Sequence, residues 1–294
     1  MDREGMNPGF YRLKLGSYEA IALHEGVLER ERPPGFVRNA TDEEVGDAFA
    51  QLGMARDKLT ITFTCLAIDT GDGVVLIDTG LGQSGPPGTG NLLRNMQQAG
   101  IGAGDVSDVI ISHGHVDHIA GLRGSDGALT FPKATIHMPA TELDFWLDPA
   151  RRASAPDAMK QYFDVAERML GPSAADIRRF AWGDVVRPGF TAVEAGGHTP
   201  GMAAIQIESD GHSLLYVADI TNNPLIFARH PTWQAMFDLD GPRAVETRRR
   251  LFDRAAEERQ RLFFFHAPFP GLATLAKNGD RYEYLPLLWR PSRS

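Results

Sequence analysis

Cysteine is almost missing from this sequence. The one thiol, Cys65, lies in the run TITFTCLAID, so the 294-residue chain cannot form an internal disulfide. A single cysteine in an apolar run is typical of a buried thiol that packs as a small hydrophobic side chain. The fold must therefore be stabilised by a hydrophobic core, and a chain of this length is long enough to bury a large one.

Long apolar runs and an excess of basic residues are missing as well. No window reaches the ~18 apolar residues of a membrane span, and the N-terminal stretch MDREGMNPGFYRLKLG lacks the apolar core of a signal peptide. The 30 Lys and Arg residues against 38 Asp and Glu residues give a net charge of −8, which disfavours contact with phosphate backbones and anionic lipids. We expect a cytoplasmic protein that binds neither nucleic acid nor membranes.

The apolar runs that are present predict an α/β fold. ITFTCLAID (61–69) and GVVLIDTG (73–80) predict a hairpin, and the second run lacks alternation, which is typical of a strand covered on both faces. No linker or repeat marks a boundary, so we expect one domain over residues 1–294. The patterns predict further strands at 106–112, 133–138, 190–195, 203–209 and 213–218, and helices at 90–101, 140–147, 156–170 and 242–260.

Two further segments have weaker signals. RERPPGFVRNATDEEVG (30–46) is the most loop-like long segment, and it either shapes the rim of a pocket or only connects two elements. The arginine run Arg248–Arg250, in the last predicted helix, is expected to face water rather than to bind an anion.

Histidines and one aspartate follow several of the apolar runs, each just past its C-terminal end. In an open α/β sheet these strand ends converge on one edge, which is where ligands usually bind. Separate stretches of the chain would therefore deliver imidazoles and a carboxylate to a common place. The residues concerned are His113, His115 and His118 after VSDVIIS, His198 after FTAVEAGG, Asp219 after SLLYVA and His266 after RLFFF.

A metal site explains this crowding better than a set of isolated histidines. Neutral imidazoles beside carboxylates are the ligands that zinc and similar divalent ions prefer. In the motif HGHVDH, the alternating His113 and His115 can face one ion, and Gly114 leaves the backbone room to bend. Asp117 and His118 can then turn toward a second ion, so the sequence predicts two divalent cations.

HGHVDH, together with GGHTPG, Asp219 and the late His266, resembles the metallo-β-lactamase superfamily. The resemblance extends from FTCLAIDTGDGVVLIDTG to HAPFPGL and implies an αβ/βα four-layer sandwich of two mixed sheets flanked by helices. It also implies that Asp78, in LIDTG, supports the histidine loop from behind the ligands. It assigns the first ion to His113, His115 and His198, the second to Asp117, His118 and His266, and a bridging role to Asp219.

Within this superfamily, the chain differs from two branches and is similar to a third. Asp219 stands where zinc β-lactamases have a cysteine ligand, and His115 stands where di-iron flavoproteins usually have a glutamate. The C-terminal third is similar to the branch with methyl parathion hydrolase and the quorum-quenching lactonases. That similarity implies zinc, although manganese, iron and cobalt suit the same ligands, and it suggests a homodimer.

The expected reaction is hydrolysis of a small molecule. Two ions would lower the pKa of a bridging water toward ~7 and supply hydroxide, while Asp117 or Asp219 passes a proton to the leaving alkoxide. The favoured substrate is a lactone or ester, with N-acyl homoserine lactones as the example that the resemblance implies. The alternatives are an organophosphate triester hydrolase and, from another class, a ligand-binding regulatory protein with little turnover. The acidic charge disfavours the nucleases of the superfamily.

Six side chains are candidates for the substrate pocket. The aromatic ones would suit an acyl chain or an aryl leaving group, and core packing is the alternative for each of them. Met202 follows HTPG where many relatives have a histidine, so the substrate class stays open. The six candidates are Phe145, Trp146, Met202, His230, Trp233 and Phe269.

Overall fold

The computed structural model describes residues 7–288, which contain fourteen strands and eight α-helices. The strands are β1 (Phe10–Leu15), β2 (Tyr18–Glu31), β3 (Lys58–Asp69), β4 (Val74–Ile77), β5 (Val106–Ile110), β6 (Thr135–Pro139), β7 (Arg178–Phe180), β8 (Val185–Arg187), β9 (Phe190–Glu194), β10 (Ala203–Ser209), β11 (His212–Tyr216), β12 (Leu262–Phe263), β13 (Leu272–Asn278) and β14 (Arg281–Pro286). The α-helices are α1 (Asp42–Gln51), α2 (Leu92–Gln98), α3 (Val116–Ile119), α4 (Ala140–Trp146), α5 (Pro149–Ser154), α6 (Asp157–Leu170), α7 (Pro224–Phe227) and α8 (Gly241–Glu257).

The strands form two sheets of seven, in the orders β1-β2-β3-β4-β5-β6-β7 and β14-β13-β12-β11-β10-β9-β8. In the first sheet β1 to β4 pair antiparallel and β4 to β7 pair parallel. In the second sheet only the pair β11 and β12 is parallel. Both sheets are mixed and flanked by helices, so the predicted αβ/βα sandwich is confirmed.

The apolar pattern of the sequence explains the centre of each layer. All four residues of β4 are buried, as predicted for a strand covered on both faces, and Asp69 pairs with Val74 across the predicted hairpin. Gly71 and Gly73 provide the positive φ angles, 87° and 158°, in the connecting turn. On the outside, α6 buries Phe163 and three other residues of one face against the core.

The N-terminal part of the chain contains structure that the sequence patterns did not predict. Strands β1 and β2 precede the predicted hairpin, and the segment 30–46 is not one loop, because β2 runs into it and α1 begins within it. Helix α1 begins with a capping box, in which the Thr41 hydroxyl accepts from the Glu44 N–H (3.2 Å) and the Glu44 carboxylate accepts from the Thr41 N–H (2.8 Å). This box stabilises the helix start inside a polar stretch.

The expectation that Arg248 faces water is wrong. Its side chain is fully buried, whereas Arg249 and Arg250 are exposed. The guanidinium donates to three backbone carbonyls, of Ile220 (2.7 Å), Pro231 (3.0 Å) and Trp233 (2.7 Å), and it lies 3.7 Å from the Asp238 carboxylate. These acceptors replace water, which is why a charged side chain is tolerated inside the protein.

Cys65 lies on β3 and is fully buried, as predicted, and burial raises the pKa of its thiol well above the usual range.

Within residues 7–288, none of the helices has both the length and the apolar composition that crossing a bilayer requires.

Candidate metal centre

Seven candidate ligands from loops of both sheets meet at one edge of the sandwich. The loop after β5 and the short helix α3 carry the HGHVDH motif, which is the largest contribution from the first sheet. The second sheet contributes His198 between β9 and β10, Asp219 after β11, and His266 after β12. The structure thus brings together all seven residues of the predicted ligand set, in two groups.

The first group consists of His113, His115 and His198 and is called the first triad below. The Nδ1 atom of His115 lies 3.2 Å from Nε2 of His113 and 2.8 Å from Nε2 of His198. Three ring nitrogens therefore converge on one point. Because imidazole nitrogens converge in this way around a shared cation, the triad has the donor set of a zinc-type site.

The second group consists of Asp117, His118, Asp219 and His266 and is called the second cluster. Nε2 of His118 lies 3.6 Å from the Asp117 carboxylate and 3.2 Å from Oδ1 of Asp219. Nε2 of His266 lies 3.2 Å from Asp117 and 3.1 Å from Oδ2 of Asp219. This group therefore alternates acidic and basic ligands.

Asp219 lies between the two groups. Its Oδ2 atom is 3.1 Å from Nε2 of His266 and 3.4 Å from Nε2 of His198, so one oxygen faces a member of each group. Its other oxygen faces His118 in the second cluster. This position is consistent with the bridging role that the sequence resemblance implied.

The residues present fit two divalent cations. Within each group the candidate ligand atoms all lie within 4.8 Å of one another. Nε2 of His118 and Oδ1 of Asp219 are buried, and neither has a well-directed hydrogen bond to any group in the described part of the chain. These two atoms lie 3.2 Å apart, and because poorly directed contacts between buried polar atoms are costly, a cation bound to both would remove that cost. Imidazole and carboxylate donors are suited to zinc, manganese, iron or cobalt.

The two groups differ in charge in the ion-free chain. Burial lowers the pKa of His113 well below its usual value and that of His115 to about 3, so these two imidazoles are neutral. Burial also disfavours charge in the second cluster, but Asp219 and Asp117 raise the pKa of His266 to about 10 and that of His118 well above its usual value. His118 and His266 in turn lower the pKa of Asp117 to about 2. The second cluster is therefore a network of ion pairs.

Four histidines are oriented by a partner on the ring nitrogen that faces away from the centre, and for His113 this partner is the Ser112 hydroxyl, 3.0 Å from Nδ1. Nδ1 of His118 lies 2.7 Å from Asp78, and Nδ1 of His198 lies 2.9 Å from Asp238. Nδ1 of His266 donates to the Thr62 carbonyl at 3.0 Å. In each ring these contacts leave Nε2 directed at the centre, the usual arrangement behind metal-bound histidines.

Asp78 supports the histidine loop at more than one point. Its carboxylate accepts from the Ser112 N–H (2.8 Å), the Ser112 hydroxyl (2.6 Å) and the Tyr216 hydroxyl (2.5 Å), in addition to its contact with His118. Asp78 is fully buried and has a φ of 59°, a left-handed conformation that few residues other than glycine, asparagine and aspartate adopt readily. The structure places Asp78 behind the ligands, where the resemblance implied it.

Sequence reasoning missed two other supporting carboxylates. Asp238 orients His198 and also accepts from the Ala235 N–H (3.1 Å). Glu142, on α4, is fully buried and accepts hydrogen bonds from two loop N–H groups and from the Trp146 indole. Burial raises the pKa of Glu142, and the hydrogen bonds it accepts oppose that shift. Only the spacing of four between Glu142 and Trp146 on one helix was visible in the sequence.

A cavity of about 550 Å³ opens onto the two groups. The ligands His115, Asp117, His198, Asp219 and His266 line part of its wall, and most of the remaining surface is apolar, with Tyr162 beside His115 at a ring distance of 5.8 Å. A depression of about 640 Å³ along α8 is larger and more open, but it is lined by charged residues and contains none of the candidate ligands. The site is therefore marked by its ligands and not by volume.

The six residues predicted for the substrate pocket do not all reach this cavity. Trp146 is part of its wall, and the other five are absent from the described lining. Met202 is fully buried in the core, where its flexible chain fills space. His230 and Trp233 stack on each other with ring centres 3.9 Å apart. Phe145 packs under Arg151, and Phe269 contacts the edge of His24.

The residues that do line the cavity come partly from segments without a predicted role. Phe63 and Tyr162 provide aromatic surface, Phe237 adds to it from the segment of the candidate Trp233, and the exposed Arg30 and Arg38 also line the wall. Both arginines belong to the segment 30–46, for which a pocket rim was one of the two interpretations. Arg30 is placed by the antiparallel pairing of β2 with β3, and Arg38 by its hydrogen bonds to the carbonyls of Met236 and Asp238, which no local pattern revealed.

Comparison with known proteins gives one family and several relatives. The family described as the Metallo-beta-lactamase superfamily matches residues 64–266. A probable metallo-hydrolase of Mycobacterium tuberculosis is 27% identical over 176 residues, which cover 52% of this chain and 55% of that protein. The chain therefore spans about half the length of the curated relatives that it matches.

Two solved structures match over nearly the whole chain. AidC, a dizinc quorum-quenching lactonase in complex with a product, has a TM-score of 0.91 and 28% identity, with 96% of this chain and 98% of AidC covered. The hydrolase AbOPH of the beta-lactamase superfamily has a TM-score of 0.90 at 24% identity, with 97% and 99% covered. At that identity the second match supports the fold alone.

Proposed function

The chain belongs to the metallo-β-lactamase superfamily, and from that membership we propose that it is a metal-dependent hydrolase that opens lactones or esters, with N-acyl homoserine lactones as the favoured substrates. The observation that carries the proposal is the pair of ligand groups joined by Asp219 at the wall of a largely apolar cavity. The similarity to AidC, a dizinc lactonase, supports the choice of substrate.

Two zinc ions are the proposed cofactors. The first triad would hold one ion, the second cluster would hold the other, and Asp219 would contact both. When bound, such ions lower the pKa of water and polarise a carbonyl oxygen, which is the chemistry that ester hydrolysis needs at neutral pH. The protein contributes fixed ligand spacing, buried partners behind the rings, and a site enclosed on one side by the core.

Asp117 is the better placed of the two aspartates to carry a proton. Its side chain is 22% exposed and lines the cavity, whereas that of Asp219 is 4% exposed. After the ester bond breaks, the leaving alkoxide needs a proton, and a carboxylate open to the cavity can transfer one from solvent. We therefore assign proton transfer to Asp117 and the holding role to Asp219.

Tyr162 is positioned to contact the substrate beside the first triad. Burial and the nearby Asp117 raise the pKa of this tyrosine, so its hydroxyl stays protonated at neutral pH. The hydroxyl makes no hydrogen bond to another residue in the range 7–288, and the side chain lines the cavity. It is therefore free to donate to a substrate oxygen, while Phe63 and Phe237 offer apolar surface for an acyl chain.

A substrate panel tests this proposal. The metal-loaded protein is assayed with acyl homoserine lactones of increasing chain length, with aryl esters and with aryl phosphotriesters, before and after exhaustive chelation. We expect the highest kcat/KM for acyl lactones and loss of activity after chelation, with recovery when the ion is restored. Cytoplasmic location and a homodimer stay predictions.

Other outcomes would replace the proposal. A higher kcat/KM for phosphotriesters would favour the organophosphate hydrolase. Tight binding of acyl ligands without turnover of any compound would favour a regulatory protein. Activity that survives complete removal of metal would contradict metal-dependent hydrolysis itself.

A further inference from the structure

Glu142 is a buried acid that accepts hydrogen bonds from three neutral N–H groups, and the Thr199 side chain also helps to lower the pKa of its carboxyl group against the effect of burial. Its Oε2 atom accepts from the Gly114 N–H (3.0 Å) and from the Trp146 indole N–H (2.7 Å), and its Oε1 atom accepts from the Gly201 N–H (2.6 Å). In the described part of the chain it forms no ion pair with a basic side chain. A buried carboxylate is costly unless its oxygens are satisfied, so this arrangement depends on all three donors.

Two of these donors belong to the loops that carry the first triad. Gly114 lies between His113 and His115 in the loop after β5, and Gly201 lies three residues after His198 in the loop between β9 and β10. These loops come from different sheets, 28 and 59 residues away from Glu142 in the sequence. One carboxylate therefore joins the two parts of the triad across the sandwich, in addition to the hydrogen bond that the Ala203 N–H donates to the Ser112 carbonyl at 3.1 Å.

The contacts at both loops are too close for any residue other than glycine. A Cβ atom on Gly114 would lie 2.2 Å from Cδ1 of Trp146, and one on Gly201 would lie 2.7 Å from Cβ of Thr141. Helix α4 is thus pressed against both loops, and the backbone N–H groups reach the carboxylate because no side chain intervenes. This close packing is a second observation that points to the same role.

We propose that Glu142 is a positioning residue that sets the distance between the two loops of the first triad and so controls the affinity of one of the two metal ions. The proposal rests on the two-ion centre described above. Glu142 touches neither substrate nor ion, and it acts through Gly114 and Gly201.

The effect should be confined to one ion because the second cluster has supports of its own. His118 is held by Asp78, and His266 is held by the Thr62 carbonyl. Glu142 makes no hydrogen bond to Asp78 or Thr62, or to any ligand of the second cluster, within residues 7–288. Loosening Glu142 should therefore separate His198 from His113 and His115 and leave the second cluster in place.

The three donors require a carboxylate and not only a polar side chain. In Glu142→Gln, the amide NH₂ must take the place of one oxygen. If the NH₂ group takes the position of Oε1, it faces the Gly201 N–H. If it takes the position of Oε2, it faces both the Gly114 N–H and the Trp146 indole N–H. Donor faces donor in either case, so at least one loop loses its attachment.

The test is a titration of metal-free protein with Co²⁺, in which the affinity of each ion is measured by competition with a chelator. Crystals grown with less than one equivalent of Co²⁺ show by anomalous scattering which group is filled. In Glu142→Gln we expect the first triad to bind about 10–100-fold more weakly and the second cluster to bind with wild-type affinity.

Glu25→Gln is the matched control. Glu25 is also a fully buried acid that accepts a backbone N–H, from Gly90 at 2.7 Å, but it has no hydrogen bond to the ligand loops. This variant should keep both affinities. Trp146→Phe removes one donor but keeps the carboxylate and an aromatic ring beside His115, whose ring centre lies 5.5 Å from that of Trp146. It should weaken the first triad severalfold, and it decides the question if Glu142→Gln does not fold.

Three results would overturn the assignment. Unchanged affinities in both Glu142→Gln and Trp146→Phe would show that the triad does not depend on Glu142. Equal weakening of both ions would show a general structural role. A wild-type protein that binds no ion would remove the metal centre itself and the proposed function with it, and hydrolysis assays are not needed to separate these cases.

Discussion

The two halves of the metal centre both present ligands for a cation, but they differ in the charge of those ligands. The first triad contains three imidazoles, and burial keeps His113 and His115 neutral. The second cluster alternates carboxylates with imidazoles, and its histidines are held in the protonated form by Asp117 and Asp219. Neutral imidazole rings attract one another only weakly, whereas carboxylates and protonated imidazoles attract one another by their opposite charges.

This difference explains where the protein places its supporting residues. The triad spans loops of both sheets and is supported by Ser112 behind His113, by Asp238 behind His198 and by Glu142 between the loops. The second cluster already has internal attraction, and its outer contacts serve mainly to aim the rings. A set of ligands with little mutual attraction thus needs more support from outside than a set that pairs by charge.

The largest effect is expected for Asp219→Ala, which removes the one residue shared by both halves. Without it, His198 and His266 lose the carboxylate oxygen between them, and both ions should bind more weakly. We expect kcat/KM to fall by more than about 100-fold, beyond the usual cost of losing a supporting partner. Steady-state kinetics measures the change in kcat/KM, and metal analysis measures the loss of bound ions. A loss in kcat/KM below tenfold would contradict the claim that both halves share Asp219.

A smaller and one-sided effect is expected for Asp238→Asn. The asparagine amide must face either Nδ1 of His198 or the Ala235 N–H, both of which now contact carboxylate oxygens. The first ion should bind about 10–100-fold more weakly while the second is unaffected. Arg248 also loses its buried anion, so urea unfolding should show about 1–3 kcal/mol less stability. Equal weakening of both ions would be the contrary result.

The difference in charge predicts that the two halves bind metal with different pH dependence. A histidine must be deprotonated before it can bind a metal ion. Metal binding at the second cluster should therefore release protons from His118 and His266 at pH 8. Metal binding at the triad should release none from His113 and His115, which are already neutral. Affinity at the second cluster should rise about tenfold per pH unit for each proton released, up to the His266 pKa of about 10. Calorimetry in buffers of different ionisation enthalpy counts the protons, and equal release from both halves would contradict the account.

The same pKa shifts affect the stability of the ion-free chain. The raised pKa of His118 and His266 means that their ion pairs stabilise the fold fully below the unfolded value of about 6.5, and that this contribution is lost as the pH rises through about 10. The lowered pKa of His113 and His115 acts in the other direction, because the unfolded chain takes up their protons below about 6.5.

The smallest effect is expected for Tyr162→Phe, which changes the cavity wall beside the triad. Removing the hydroxyl deletes one hydrogen bond to the substrate, about 0.5–1.5 kcal/mol or roughly a two- to tenfold loss in kcat/KM. Metal affinity in both halves should stay at the wild-type value, because Tyr162 contacts His115 through its ring, which Phe keeps. A change in metal affinity would show that the cavity wall also supports the triad.

The sequence predicted the parts of this molecule that local patterns encode. The fully apolar β4 and the helical face of α6 could be read directly, and the seven candidate ligands were found because each follows an apolar strand. In contrast, β2 carries charged residues toward one end and a bulge between His24 and Gly26, which breaks a simple alternation. The capping signal at Thr41 was present in the sequence but was overlooked.

The supporting residues of the site could not be found in the same way. Glu142 and Asp238 do not follow an apolar strand, and they reach the ligands only after distant loops are packed together. Five of the six pocket candidates lie outside the described cavity lining for a related reason, since closeness to a motif in sequence says little about which way a side chain points. Met202 follows the His198 motif closely, yet its side chain lies in the core.

The most direct test is a crystal grown with excess Zn²⁺ and measured at the zinc absorption edge. The account predicts two anomalous peaks, one within bonding distance of His113, His115 and His198, and the other within bonding distance of Asp117, His118 and His266, with Asp219 reaching both. A map without peaks at this edge of the sandwich, or with a single peak that leaves the triad unligated, would contradict it.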